Sequence, residues 1–308
     1  MAEINQTKQP ELVNKFPIRW VLFSLMPGVI ISISFFGPGV VKNLLVGTCC
    51  SLMLETIIST SGKSPGLKIR FDLAILMGVL LGLAMPPNMS PAIVILAAAA
   101  AMVLARQVYY GSESHMFNPI MFGYALALIL FPENLTSWPQ SIDSITGPTA
   151  LSSIKSSSGY TVSEMWSLEN GYGAIGAYGW EWINAAFLLG GLLLITKKII
   201  SWHIPVSMLA TITVLSIAFY DFGSSMSKGG PLFHLFSGST MLVAFFIATD
   251  PATEPKETLV KLLYGCVIGT VTFSIRSWGN YPDGLAFGIL VANALAPYLN
   301  LKRAERNV

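Results

Sequence analysis

Long apolar runs, most of them near the length of a membrane-spanning helix, constrain the fold of this chain more than any other sequence feature. A helix that crosses a bilayer needs about 20 mostly apolar residues. Ten segments approach that requirement: 18–36, 40–60, 70–86, 90–107, 117–132, 179–196, 203–221, 231–249, 258–275 and 283–300. Only 11% of the residues are charged, whereas a soluble domain has roughly 25%. The sequence therefore predicts an all-α polytopic membrane protein.

The distribution of basic residues predicts the orientation of these spans. If the N-terminus lies in the cytoplasm, fourteen of the 18 Lys and Arg residues fall on the cytoplasmic side. The outer side then keeps Lys42, Lys155, Lys228 and Arg276. Cytoplasmic loops of membrane proteins carry an excess of Lys and Arg, so we expect both termini in the cytoplasm.

A long polar loop divides the predicted spans into two groups of five. An odd number of spans in each half makes an internal repeat an inverted one, so we expect two inverted five-helix halves. The predicted divisions are a cytoplasmic N-terminal segment (1–17), a first membrane half (18–132), an outer loop (133–178), a second membrane half (179–300) and a cytoplasmic tail (301–308).

Weak internal similarity at an offset of 165 residues agrees with such a repeat. The matching residues are Pro86 with Pro251, Asn118 with Asp283, and Phe122-Gly123 with Phe287-Gly288. Proline ends a helix early, so Pro86 and Pro251 predict broken helices at corresponding positions in the third and eighth spans. Transporters use paired broken helices of this kind near the middle of the membrane.

Several polar residues in the apolar runs have two interpretations each. Glu55 marks an ion or proton path, or it pairs near the interface with a basic residue such as Lys63. The small residues from Ser237 to Thr240 permit close approach of another helix or of a flat ligand. Asp250 caps the next segment or faces a cavity. The candidates for a ligand or ion pathway are Ser237, Gly238, Thr240, Asp250 and Glu55.

Charged and metal-binding residue types give few further indications. Arg276 and Asp283 form an ion pair, or Arg276 meets an anionic ligand, and the sequence favours neither. The net charge of +2 gives no indication of nucleic-acid binding. Metal sites need ligands at suitable spacing, and we predict none here. The cysteines and histidines without that spacing are Cys49, Cys50, Cys266, His115, His203 and His234.

The outer loop contains the run Asp143-Ser-Ile-Thr-Gly-Pro-Thr149. Small hydroxyl residues with Gly and Pro are typical of a surface turn, which is the simplest interpretation. The loop shows no evident helix or strand pattern, and such long connections tend to be functional or disordered. Its interleaved aromatic residues favour packing over disorder: Trp138, Tyr160, Trp166, Tyr172 and Tyr178.

This run resembles the D-x-x-[ST]-G-A-T pattern at which membrane flavoproteins carry FMN. Three further segments resemble signatures of the same family: Phe117-Asn-Pro119, Ser237–Thr253 and Ile275–Gly284. The family is RnfD, also called RsxD, with the sodium-pump relative NqrB. The resemblance extends from Pro17 to about Leu299. It implies a urea-transporter-like fold, and it implies a membrane component of the Rnf/Rsx complex, which moves electrons between ferredoxin and NAD coupled to ion movement.

The resemblance also implies the site of the cofactor. FMN is joined through its phosphate to a threonine hydroxyl by a separate flavin transferase, and the matching residue is Thr149. Asp143, Thr146 and Gly147 are the recognition residues, and Pro148 stands where the family pattern has Ala. Proline stiffens the turn and removes one hydrogen-bond donor. Riboflavin is the non-covalent flavin known for the family.

Two alternatives remain to be tested. Ser237-Gly-Ser-Thr240 also fits [ST]-G-x-T, but His234 occupies the position of the leading acid and the run begins an apolar span. A modifying enzyme needs an exposed loop, which favours Thr149. The second alternative is a small-solute channel or transporter without flavin, since fold does not determine function. A covalent yellow chromophore would distinguish the two functions.

The remaining implications concern partners and location. The resemblance implies the A, B, C, E and G proteins of the Rnf/Rsx complex as partners, with membrane lipid around the spans. The chain would contribute to an ion-translocating oxidoreductase, or translocase, without a complete reaction of its own. Its location would be the bacterial inner membrane, with the 133–178 loop in the periplasm.

Glu55 provides a first test of the ion-path interpretation. If its carboxylate carries the coupled ion, Glu55→Gln should reduce ion pumping by reconstituted complex more than electron transfer, because the amide cannot ionise. Measurement of both rates in the same proteoliposomes checks this. Equal losses in the two rates, or no loss in either, would argue for a purely structural carboxylate.

Overall fold

The fold is described from a computed structural model, which describes residues 17–60, 70–110, 117–139, 146–147, 149–156, 159–168 and 171–304. Most of these residues are helical. The helices before the outer loop are α1 (Ile18–Phe36), α2 (Pro38–Thr60), α3 (Phe71–Ala84), α4 (Pro91–Tyr110), α5 (Pro119–Leu130) and the short α6 (Pro132–Thr136).

The outer loop and the second half follow. The loop holds two-residue strands β1 (Trp138–Pro139) and β2 (Thr146–Gly147), which pair antiparallel, and helices α7 (Ala150–Ser156) and α8 (Val162–Leu168). The second half contains α9 (Trp180–Thr196), α10 (His203–Ala218), a 3-10 turn (Asp221–Gly223), α11 (Pro231–Leu235), α12 (Thr240–Leu242) continued by a π-helical turn (Val243–Ile247), α13 (Thr258–Trp278) and α14 (Leu285–Ala304).

Each predicted span contains a helix, and nine of the ten agree with the predicted bounds to within four residues. The eighth is the exception, because the chain leaves the helix between α11 and α12. The outer loop also differs from expectation. It contains helices and a strand pair, although its sequence shows no hydrophobic periodicity that predicts them. The predicted apolar, mainly helical protein is confirmed over the described residues.

Helix length separates two groups of apolar helices. Among the described residues, α1, α2 and α13 are long and apolar enough to cross a membrane. Four others, α3, α5, α9 and α10, are apolar but have only 12–17 residues; α3 has 14 and ends before Pro86. At about 1.5 Å per residue, such helices do not reach the roughly 30 Å of a hydrocarbon core. The number of membrane crossings therefore stays a prediction.

Helices at corresponding positions of the two halves pack in the same pairs. Helix α4 packs on α5, as α13 packs on α14, and α2 contacts α4, as α10 contacts α13. Across the halves, α1 packs on α9 and α5 on α14. The first and sixth spans thus meet, and so do the fifth and tenth. This pattern agrees with an internal repeat and does not by itself give its direction.

Polar side chains hold the non-helical backbone after α3. Asn43 Nδ2 donates to Pro86 O at 2.7 Å, and Lys42 Nζ donates to Met89 O at 2.6 Å. Asn43 is 0% exposed. Backbone carbonyls without a partner are costly in apolar surroundings. The two side chains of α2 therefore stabilise the early end that proline imposes on α3.

Glycine allows α1 and α9 to approach closely. A Cβ atom on Gly190 would lie 2.0 Å from the backbone oxygen of Ser24. No real Cβ contact is that short, so even a methyl group would force the two helices apart. Small residues at helix interfaces serve this purpose in membrane proteins.

Gly190→Ala tests this contact. We expect the substitution to destabilise the fold by about 1–3 kcal/mol, the usual cost of overpacking, and to lower the melting temperature in detergent. Gly171→Ala is the matched control, because a Cβ atom there would meet nothing within 4 Å. A melting temperature that falls equally in both variants would contradict the packing argument.

Candidate functional site

The outer loop covers a cleft between the two halves. Its walls come from the loop, from α5, from the break between α11 and α12, and from the start of α14. Residues of these walls include Tyr124, Trp138, Thr149, Leu151, Trp180, Ser237, Gly238, Pro282, Asp283 and Ala286.

Thr149 lines this cleft and begins helix α7. Its side chain is half-buried. Its Oγ1 accepts a hydrogen bond from Ser152 N at 3.3 Å and lies 3.1 Å from Ser152 Oγ. Its backbone oxygen accepts from Ser153 N at 2.9 Å. Thr149 is therefore the N-cap of α7, which fixes the position of the hydroxyl at the cleft wall.

The rest of the predicted motif is described in part. Thr146 and Gly147 form strand β2, in which Gly147 pairs with Trp138 and Thr146 with Pro139. Since Trp138 also lines the cleft, this pairing brings the motif backbone to the cleft wall. Asp143 and Pro148 lie outside the described residues.

Aromatic rings hold the loop against the helices. Trp166 stacks on Tyr172 with ring centroids 4.3 Å apart, and both contact Phe233 of α11. Trp138 and Trp180 meet edge to face at 4.9 Å, next to the cleft. Aromatic pairs of this geometry add about 0.5–1.5 kcal/mol beyond their burial. The predicted packing of the loop aromatics is thus observed at these residues.

Lys155 joins α7 to the segment between α13 and α14. Its Nζ donates to the backbone oxygens of Ile275 and Gly279, each at 2.8 Å, and also to that of Tyr281. Burial is the largest effect on the group and lowers the pKa of Lys155 to about 8. The amine is still mostly protonated at pH 7, so all three N–H donors are present.

Arg276 and Asp283 form a two-bonded ion pair beside the cleft, so the first of the two predicted alternatives is observed. Arg276 Nε donates to Asp283 Oδ1 and Nη2 to Oδ2, both at 2.9 Å. The Arg276 side chain is 0% exposed, whereas that of Asp283 is 25% exposed. Arg276 also donates to the His234 backbone oxygen at 2.7 Å and to Thr240 Oγ1 at 2.9 Å.

The predicted residues of the eighth span lie at its break. Gly238 has a φ of +61°, and its Cβ atom would lie 2.6 Å from Asp283 Oδ2, so only glycine fits there. Ser237 Oγ accepts from Ala177 N at 3.0 Å. Thr240 is 0% exposed, and its hydroxyl donates toward the His234 and Ser237 backbone oxygens. Ser237 and Gly238 line the cleft, whereas Thr240 lies behind it.

Asp250 and Glu55 do not belong to this cleft. Asp250 accepts hydrogen bonds within the turn that follows it, from Ala252 N and Thr253 Oγ1. It also lines a second cavity, so both predicted roles are observed. Glu55 is 3% exposed and accepts a hydrogen bond from Arg70 N at 3.0 Å. Its predicted partner Lys63 lies outside the described residues.

The structure also assigns to the cleft residues that sequence reasoning did not select. Trp138 was treated only as a packing aromatic of the loop, and Trp180 was not singled out. Lys155, which holds α7 beside the cleft, was treated only as one of the few outer basic residues. Tyr124 lay within an apolar run. A weak signal existed for the tryptophans, since aromatic rings concentrated near a suspected flavin motif suit a flat ligand. Within the described part of the chain, no group of three His, Cys, Asp or Glu residues could hold a metal ion.

Comparison with known proteins gives consistent matches over nearly the whole chain. A sequence model of the NQR2, RnfD, RnfE family matches residues 8–308. The D subunit of the ion-translocating oxidoreductase complex of Cellvibrio japonicus (strain Ueda107) is 38% identical over 314 residues, covering 93% of this chain and 88% of that protein.

The D subunits of the same complex from other bacteria are similarly related. The protein from Pseudomonas aeruginosa (strain LESB58) is 36% identical, covering 92% of this chain and 88% of its own length. The protein from Vibrio cholerae serotype O1 (strain ATCC 39541 / Classical Ogawa 395 / O395) is 38% identical, covering 92% of this chain and 91% of its own length.

Arg276→Met tests the ion pair. Removal of one partner of a buried pair costs about 3–5 kcal/mol, and the partial exposure of Asp283 places the expected loss near the lower end. Asp72→Asn is the control, because it breaks the pair with Arg70, in which Asp72 is 49% exposed. Such exposed pairs contribute about 0–1 kcal/mol. Equal changes in melting temperature would show that Arg276 has no special structural role.

Proposed function

This chain belongs to the NQR2, RnfD, RnfE family, and from that premise we propose that it is the membrane subunit of an Rnf/Rsx complex that carries FMN covalently on Thr149. In this role it passes electrons between flavin and iron–sulfur centres while the complex translocates an ion. The chain has no complete reaction of its own. Electrons would travel between ferredoxin and NAD through the complex as a whole.

The observation that carries the proposal is the position of the Thr149 hydroxyl. It lies at the wall of a cleft whose lining includes the aromatic side chains of Tyr124, Trp138 and Trp180. A flat isoalloxazine ring packs well against aromatic and apolar side chains. The residues present therefore fit the group: a hydroxyl for the phosphate ester and an aromatic-lined space for the ring.

Thr149 anchors the cofactor and takes no part in electron transfer. When a flavin transferase joins the two, Thr149 Oγ1 would lose its proton and form an ester bond to the FMN phosphorus, while the phosphoanhydride bond of a flavin dinucleotide donor breaks and the nucleoside monophosphate leaves. Linkage through the phosphate leaves the ring unmodified, and bound FMN supplies one- and two-electron redox chemistry. Among the described lining residues, Asp283 contributes a carboxylate, and its charge and the nearby aromatic rings would tune the reduction potential of the ring.

The geometry favours Thr149 over Thr240 as the attachment site. The Thr240 hydroxyl is fully buried and is engaged by Arg276 and by two backbone oxygens. An enzyme cannot reach it without breaking the ion-pair network. The Thr149 hydroxyl is half-buried and belongs to a loop that covers the protein, where modifying enzymes act.

The membrane arrangement completes the proposal. Ten spans in two inverted halves, with both termini in the cytoplasm and the outer loop in the periplasm, are supported by the matching helix pairs and by the basic residues. The other Rnf/Rsx proteins are the proposed partners in the bacterial inner membrane. The second cavity, which Phe245, Phe246 and Asp250 line, is the proposed position of a non-covalent riboflavin. Glu55 remains the proposed position on an ion path.

Thr149→Val tests the attachment directly. The protein is co-expressed with a flavin transferase, denatured, and examined by in-gel flavin fluorescence. We expect a fluorescent wild-type band that is absent in Thr149→Val, because valine has no hydroxyl to esterify. Thr149→Ser keeps a hydroxyl and should keep some fluorescence, and Thr240→Val should retain the band.

Other outcomes would lead to different conclusions. A band that persists in Thr149→Val but disappears in Thr240→Val would move the attachment to the break of the eighth helix. A wild-type protein without covalent flavin would contradict the proposal and favour the small-solute channel or transporter.

A further inference from the structure

We infer that Lys155 is a positioning residue, which holds the helix that carries Thr149 against the opposite wall of the cleft. The inference rests on the proposed function, since it concerns where a flavin on Thr149 would be held. Lys155 is the last-turn residue of α7, and Thr149 is the N-cap of the same helix. The two residues therefore lie at opposite ends of one short helix, about 1.7 turns apart.

The hydrogen bonds of Lys155 go to the segment that leads to the cleft-lining residues Pro282 and Asp283. All three acceptors are backbone oxygens of the stretch from Ile275 to Tyr281, which ends α13 and leads to Pro282 and Asp283. Ile275 lies in the last turn of α13, where its oxygen also accepts from Gly279 N, and Gly279 and Tyr281 follow the end of the helix. A lysine ammonium interacts favourably with carbonyl groups at a helix C-terminus. One ammonium group thus links the loop wall of the cleft to the wall that contains Asp283.

Apolar packing fixes the position of α7 less specifically than the hydrogen bonds of Lys155 do. Its buried residues Leu151 and Ile154 contact the loop cluster that contains Met165, Tyr172 and Phe233. Apolar contacts of this kind tolerate sliding, because dispersion and burial have little directional preference. Three hydrogen bonds that converge on one nitrogen fix the position of α7 along α13. They also fix the distance of the Thr149 hydroxyl from the wall that contains Asp283.

Lys155 acts after the cofactor is attached. The Thr149 hydroxyl is half-buried, and the hydrogen bonds of Lys155 go to backbone oxygens of residues 275–281 rather than to Thr149, so attachment by a transferase does not depend on the lysine. Loss of the lysine should then leave the amount of covalent FMN unchanged. It should instead expose the flavin ring, because α7 no longer stays docked.

Two measurements on the full-length protein test the inference. The variants are Lys155→Met, which keeps the length of the side chain without its donors, and Lys155→Arg, which keeps charged donors. The matched control is Lys256→Met, at an exposed position away from the cleft. Hydrogen exchange of the amides in residues 150–156 reports docking of α7 and needs no flavin. Iodide quenching of the native flavin fluorescence reports exposure of the ring.

We expect Lys155→Met to raise both the amide exchange rate and the iodide quenching constant severalfold. Its in-gel flavin fluorescence should equal that of the wild type. Lys155→Arg should recover part of the protection, and Lys256→Met should match the wild type. Exchange and quenching that stay at wild-type values in Lys155→Met would overturn the inference. A rise in exchange without any covalent flavin in the wild type would instead retain the docking role and reject the proposed cofactor site.

Discussion

The buried pair of Arg276 and Asp283 is the interaction on which the rest of the site depends. Arginine presents five donors in a fixed plane, and here they serve Asp283, the His234 backbone oxygen and Thr240. Asp283 Oδ1 in turn accepts from Gly284 N at 2.7 Å and caps α14. One side chain from α13 therefore stabilises both the break between α11 and α12 and the start of α14, where apolar surroundings would otherwise leave backbone groups unpaired.

The same network borders the cleft. Gly238, in the break between α11 and α12, has a positive φ and lies directly beside the Asp283 carboxylate. The cleft beside this break is lined by Tyr124 and Trp180 and reached by Thr149. The ion pair therefore stabilises non-helical backbone that forms part of the cleft wall.

Sequence patterns predicted the structural features that depend on nearby residues, such as the apolar composition of a segment or a proline. Apolar runs located the helices, and Pro86 predicted the early end of α3, because proline acts locally. The break at Gly238 was not predicted, because the donor that stabilises it comes from Arg276, far along the chain. The loop helices were missed for a related reason: α7 and α8 have seven residues each, too few to be stable without the aromatic cluster that covers them.

The candidate site shows the same division between local and long-range information. Thr149 was selected from a local motif, and Gly238 from a run of small residues, but their meeting in one cleft depends on tertiary contacts. Lys155 had no local signal, since its role is defined by carbonyl groups 120 or more residues away. The interrupted segment from Ser237 to Pro251 lines the cleft at one end and the second cavity at the other. The two cavities therefore share one wall, and the Arg276 network holds the end of that wall that borders the cleft.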